Sequence, residues 1–262
     1  MKALSKNAII GYPAGVVTGI TYGLNPLFAV PLIGRGASID AILFYRYALA
    51  VVLLGLFLGL RRESFRVSGK QIGVLLVLGL LYTASSLSLF GAYNYIASGL
   101  ATTLIFLYPA LVAVIMVFLR VVPSWPVWLA IGATLVGVVV MTSGGGEQSL
   151  NPIGVGLSLC SALAYALFII IINRSKAIST ISNSLLTFYA LMVGAVVFLG
   201  KIFFSDADPL VGFETLSSWL NIVGLAVLPP SSPPRHSLSP HAISVPQRPR
   251  CWVSSSPSPP SS

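Results

Sequence analysis

QIGVLLVLGLLYTASSLSLFGAYNYIASGLATTLIFLYPALVAVIMVFL, residues 71–119, holds no Asp, Glu, Lys, Arg or His. A bilayer's hydrocarbon core is ~30 Å thick and a helix rises ~1.5 Å per residue, so one crossing takes about 20 apolar residues. The stretch is too long for one crossing and suits two. Its break falls at Tyr93-Asn94-Tyr95-Ile96-Ala97-Ser98-Gly99. The reading is a helical hairpin: a span over 73–89, a tight turn, and a return over 100–119. Small residues lie near the start of the return helix, and Pro109 sits at mid-membrane.

The rest of the chain shares this character. Of 262 residues, 56% are hydrophobic and only 8% are charged, against about 25% charged in a soluble domain. That deficit excludes an ordinary water-soluble globule and makes the lipid bilayer the chain's main partner. The formal charge of +9 is not a nucleic-acid footprint, because the basic residues fall in short loops between apolar runs. Cys160 and Cys251 are the two cysteines, one inside a span and one in a polar tail, so no disulfide framework is implied. Two lysines precede the first apolar run, but that run continues to Val30, too long for a signal-peptide core.

Outward from the hairpin, further spans are expected over 9–30, 41–60, 125–141, 153–172, 184–204 and 216–228. With the hairpin they make about eight transmembrane helices in an all-α membrane protein. The first carries Gly11, Gly15, Gly19 and Gly23, a ladder of small residues four apart that lets a neighbouring helix come close. Thr18, Tyr22 and Asn25 form a polar stripe beside the ladder, and Pro26 is expected to kink the far end. The second span contains Arg46. Lys2, Lys6, Arg61, Arg62, Arg66, Lys70, Arg120, Arg174 and Lys176 fall on one side if every span crosses. The opposite side has Arg35 and Lys201 with most of the acids. The positive-inside rule then places the N-terminus in the cytoplasm.

The spans also repeat. Tyr22-Gly23-Leu24 matches Tyr165-Ala166-Leu167, Tyr47-Ala48-Leu49 matches Tyr189-Ala190-Leu191, and Leu78-Gly79-Leu80 matches Val223-Gly224-Leu225. The offsets are all roughly 142 to 145 residues, and the matches are collinear. Five spans, an odd number, separate the copies, so the second copy is inverted. Inverted repeats are a transporter architecture, with the substrate site near the bilayer midplane at the repeat interface.

Phe44-Tyr45-Arg46-Tyr47-Ala48, the hairpin run from Ala92 to Thr103, and Tyr108-Pro109-Ala110 together resemble the EamA family of the drug/metabolite transporter superfamily. The resemblance covers residues 9–228. It implies two inverted five-helix repeats, ten spans in a complete member, with both ends in the cytoplasm. It further implies a cell (inner or plasma) membrane location and secondary transport, as export of amino acids, related metabolites or drug-like compounds. The expected division is a first repeat over 1–142, a glycine-rich linker over 143–151, an incomplete second repeat over 152–228, and a disordered Pro/Ser-rich tail over 229–262. That tail replaces the expected continuation abruptly, in mid-helix, at Pro229-Pro230. Two readings stand: an out-of-frame translation of the missing half, or a genuine disordered tail.

Arg46 is the only charge well inside a span, where an arginine costs at least ~2.5 kcal/mol on insertion scales. It either recognises an anionic group or switches between repeats, or else it snorkels or caps carbonyls to fix the fold. Tyr82, Ser85, Ser86 and Tyr93 share a face of the third span, and Ser98 and Thr102 a face of the fourth. With Thr18, Tyr22 and Asn25 they could line a polar pathway for a small-molecule substrate. The alternative is ordinary helix packing. Pro109 is counted with the pathway, although bending the helix is the simpler role. No Asp, Glu or His lies well inside a span, which argues against a buried-carboxylate proton relay and against an intramembrane hydrolase. No phosphate-binding loop, metal set or cofactor motif is present. Competing with the transporter are an inactive truncated relative and an assembly protein that forms a homodimer through the glycine ladder.

Overall fold

The computed structural model describes residues 20–119 except Tyr22, residues 151–227 except 206 and 207, and scattered positions between 125 and 140. Thr18, Tyr22, most of the glycine ladder, the glycine linker and the Pro/Ser-rich tail lie outside the described residues. Among those described there is no strand. The helices are α1 (Gly23–Gly34), α2 (Ile39–Leu60), α3 (Gly69–Ala92), α4 (Ser98–Ile105), α5 (Tyr108–Phe118), α6 (Pro152–Arg174), α7 (Asn183–Phe203) and α8 (Leu216–Val227).

Each long helix starts where a polar side chain can take up its free N–H groups. Ser38 accepts from the Ala41 amide at 3.2 Å, Asn151 from Ile153 at 2.9 Å, and Ser182 from Leu185 at 3.2 Å. Gln71 Oε1 reaches back to the Ser68 amide at 2.7 Å. These caps explain why α2, α3, α6 and α7 begin one to four residues before their apolar runs do. α1 carries on through Pro26 to Gly34, past the expected end at Val30. Membrane helices tolerate proline because neighbours re-satisfy the freed carbonyl. The returning span of the hairpin is broken in two at 106–107, immediately before Pro109. A proline there lacks the N–H and clashes with the carbonyl four residues earlier, yet suits the first turn of the new helix.

Among the described residues, five spans are long and apolar enough to cross a membrane: α2, α3, the joined α4–α5 unit, α6 and α7. α8, with 12 residues, is shorter. The expected fifth span is described only at isolated positions. Val52, Leu56, Phe57, Leu76, Leu80, Val196 and Leu199 point outward, as lipid-facing residues should. The interior holds Thr83, Ser85, Ser86, Thr102, Ser158 and Ser161, all buried.

Packing is between the two halves of the chain more than within them. α3 lies against α6 and α7, while α2 lies against α7 and α8. α1 meets α8, where a side chain at Gly224 would strike Phe28. Both ends of the bundle are fastened across the halves. At one end Lys201 pairs with Asp40 at 2.6 Å, and Arg35 Nη1 donates to Thr215, Ser217 and Ser218 at 2.9, 2.8 and 2.7 Å. There too Gly212, at φ +83, approaches the Ala37 backbone too closely to admit a side chain. At the other end Ser182 donates to Glu63 at 2.7 Å, Tyr189 to the Phe65 carbonyl at 2.7 Å, and Gln71 to the Ala177 carbonyl at 3.1 Å.

These contacts fix directions. α1 finishes at the Arg35 end, whereas α6 finishes at the Glu63 end. α2 runs from the Arg35 end and α7 runs toward it. α3 finishes at that end and α8 starts there. Arg61, Arg62, Arg66, Lys70, Arg174 and Lys176 therefore share the Glu63 end.

Candidate functional site

Arg46 stands eight residues into α2, about 10 Å along the helix from its start. It is 8% exposed. Its guanidinium carbon lies 5.7 Å from the centre of the Phe90 ring, near the far end of α3. A cation over an aromatic face is attracted by the ring quadrupole, more strongly where water is excluded. The guanidinium is also within electrostatic reach of the phenols of Tyr47, Tyr82 and Tyr93. Among the described residues it has no hydrogen-bond acceptor and no carboxylate partner. Asp40, on the same helix, is bound to Lys201 instead.

Tyr47, fully buried beside Arg46, joins three helices. Its hydroxyl donates to Ser86 on α3 at 2.6 Å. Its ring stacks on Tyr82 of the same helix at 5.8 Å and meets Phe198 of α7 edge-on at 5.5 Å. The ring fits because α7 offers Gly194 at that point. The aromatic series continues from Tyr82 to Phe168 at 5.6 Å, Phe168 to Tyr165 at 5.9 Å, and Tyr165 to Tyr108 at 4.9 Å. It thus crosses from α2 through α3 and α6 to the first turn of α5, beside Pro109.

The residues singled out from the sequence are only partly assembled. Arg46, Tyr82 and Tyr93 share one neighbourhood, and Ser86 enters it through Tyr47. Tyr93 and Thr102 exchange a hydroxyl contact at 3.0 Å, and Thr102 also donates to the Ser98 carbonyl at 2.7 Å. Ser85 is bound to Ser161 of α6: each hydroxyl donates to the other's carbonyl, at 3.0 and 2.7 Å. Asn25 is 3% exposed on α1, and its Oδ1 has no hydrogen-bond partner. No described contact joins it to Arg46. Thr18 and Tyr22 lie outside the described residues.

Tyr47, Phe90, Tyr165, Phe168 and Ser161 were not singled out as site residues. Tyr47 could have been, since it is adjacent to the one buried charge and recurs in the repeat as Tyr189. Phe90, Phe168 and Ser161 carry no such signal, because apolar and small residues in a span read as lipid-facing or packing. Cys160 is exposed and free.

An all-helical bundle with lipid-facing apolar surfaces and a polar, aromatic interior defines a multi-span membrane protein. The EamA-like transporter family matches residues 9–143, and the chain belongs to that family. It is 36% identical over 90 residues to the "Uncharacterized transporter sll1319" of Synechocystis sp. (strain ATCC 27184 / PCC 6803 / Kazusa), a match covering 33% of this chain and 27% of that protein. It also resembles a crystal structure described only as "Crystal structure of protein", with a TM-score of 0.60 and 18% identity. The similarity covers 82% of this chain and 72% of that one, and it shows the fold alone.

Proposed function

We propose that the chain is a secondary transporter of small metabolites or drug-like compounds, working by alternating access between two inverted repeats. Its place is the cell membrane, with the N-terminus in the cytoplasm, and its direction is export. The observation that carries this reading is the cross-packing of the halves. α1 and α6, α2 and α7, and α3 and α8 are the pairs the sequence repeat equates, and each pair runs in opposite directions. The contact of α3 with α7 has its counterpart in α2 with α8, and that of α3 with α6 in α8 with α1. An inverted pair of units gives such reciprocal contacts, and it can rock about a site at their interface. The basic loops at the Glu63 end support a cytoplasmic placement of that end.

The test is flux from proteoliposomes made with the purified chain and loaded with a mixture of labelled amino acids, organic acids and cationic dyes. A transporter releases at least one class faster than protein-free vesicles do. Release at the protein-free rate for all classes sinks the reading. Single cysteines at Arg62 and Gly36, probed in intact cells with a membrane-impermeant maleimide, check the orientation. Gly36→Cys labels and Arg62→Cys does not.

A further inference from the structure

Arg46 is a buried cation with no carboxylate partner among the described residues. Of the chain's six Asp and Glu residues, the four described are Asp40, in the first turn of α2, and Glu63, Asp208 and Glu214, outside the helices. Asp40 is the nearest along α2, and it is paired with Lys201. Tyr82, stacked on the Tyr47 ring next to Arg46 in the chain, is a second donor within electrostatic reach of the guanidinium. Tyr82 is 7% exposed, and no described residue accepts its hydroxyl hydrogen. The phenols around it are engaged: Tyr47 donates to Ser86 and Tyr93 is bonded to Thr102. A guanidinium held largely out of water gains from a counter-ion, and a phenol with no partner among the described residues has a hydrogen to offer it. One ligand group would answer both, an acceptor bearing negative charge.

We propose that Arg46 and Tyr82 hold the carboxylate of a monoanionic organic substrate whose apolar body lies against the neighbouring aromatic rings. This rests on the transporter reading above and adds the chemical class to it. Charge balance selects the class. One carboxylate against one guanidinium leaves the site neutral. A phosphate monoester carries about −1.5 to −2 at neutral pH and would leave an excess of negative charge. A zwitterionic amino acid would bring an ammonium group with no carboxylate to receive it. The rings of Phe90, Tyr82 and Phe168 complement an aromatic or branched apolar body.

Isothermal titration of the purified full chain in detergent tests this with 3-phenylpropanoate, its neutral amide, phenylalanine and phenyl phosphate. 3-Phenylpropanoate binds saturably, and the other three bind about tenfold more weakly or worse, as loss of a charge-assisted hydrogen bond predicts. Arg46→Gln weakens 3-phenylpropanoate about tenfold or more, and Arg46→Lys restores part of it. Tyr82→Phe removes one oxygen and keeps the ring, and it weakens binding about three- to tenfold. If Arg46→Gln does not fold, Tyr82→Phe decides. Equal affinity for the amide, unchanged affinity in Tyr82→Phe and any folded Arg46 variant, or no saturable binding of the carboxylate overturns the proposal. Arg46-dependent binding without flux in vesicles sinks the transporter reading and leaves the site. Flux indifferent to both substitutions does the reverse.

Discussion

The ring of Tyr47 occupies the space that a side chain at Gly194 would fill, so α2 and α7 are in register through a missing Cβ. Gly194→Ala must displace that ring and break the 2.6 Å bond from Tyr47 to Ser86. Overpacking a tight core costs about 1–3 kcal/mol, and the lost hydrogen bond adds to it. Thermal unfolding in detergent should show a clear fall in midpoint. Gly200→Ala, where nothing lies within 4 Å, should leave the midpoint unmoved.

Ser85 and Ser161 clamp α3 to α6 by donating to each other's carbonyl oxygens. Hydrogen bonds between membrane helices contribute about 0.6 kcal/mol on average and at most about 1.7. Ser85→Ala and Ser161→Ala should each destabilise within that range. A double-mutant cycle should give a positive coupling, since the hydroxyls also touch at 3.1 Å. Strict additivity would mean that the two bonds act independently.

The Lys201–Asp40 pair is short but exposed, at 41% and 27% of the two side chains. Exposed pairs contribute about 0–1 kcal/mol and are screened by salt. Asp40→Asn should therefore shift the unfolding midpoint little, and less still in high salt. A large loss of stability that persists in high salt would show that the pair is shielded from water.

Removing the buried charge should stabilise the empty protein. Arg46→Leu exchanges a cation, which costs at least ~2.5 kcal/mol within a span, for an apolar side chain. The unliganded variant should unfold at a higher temperature than the parent while losing solute release from vesicles. Such opposition between stability and activity is expected where a residue is kept for function. A lower midpoint would mark Arg46 as a structural anchor instead.

The spans formed by α2, α3, α4–α5, α6 and α7 were legible in the sequence because charge vanishes over a membrane's thickness and returns at the loops. The broken return helix was marked by Pro109, and Arg46 stood out as a charge amid apolar neighbours. Helix starts were read late at α3, because Lys70 and Gln71 look like loop residues until Gln71 is seen reaching back to Ser68. The site's partners were hidden for a different reason. Periodicity assigns a residue to a face of its own helix, but not to a neighbour. Nothing in the order of residues says that Tyr47 meets Ser86 and Gly194, or that Ser85 meets Ser161. Those pairings depend on how far each helix slides along the next.

Arg35 Nη1 has two hydrogens and three hydroxyl oxygens within 2.9 Å of it. The two hydrogens are shared among the three oxygens. Thr215 also bonds to both Ser217 and Ser218. The link between the α1–α2 turn and the head of α8 thus has more acceptors than hydrogens, so losing any one hydroxyl still leaves both hydrogens an acceptor.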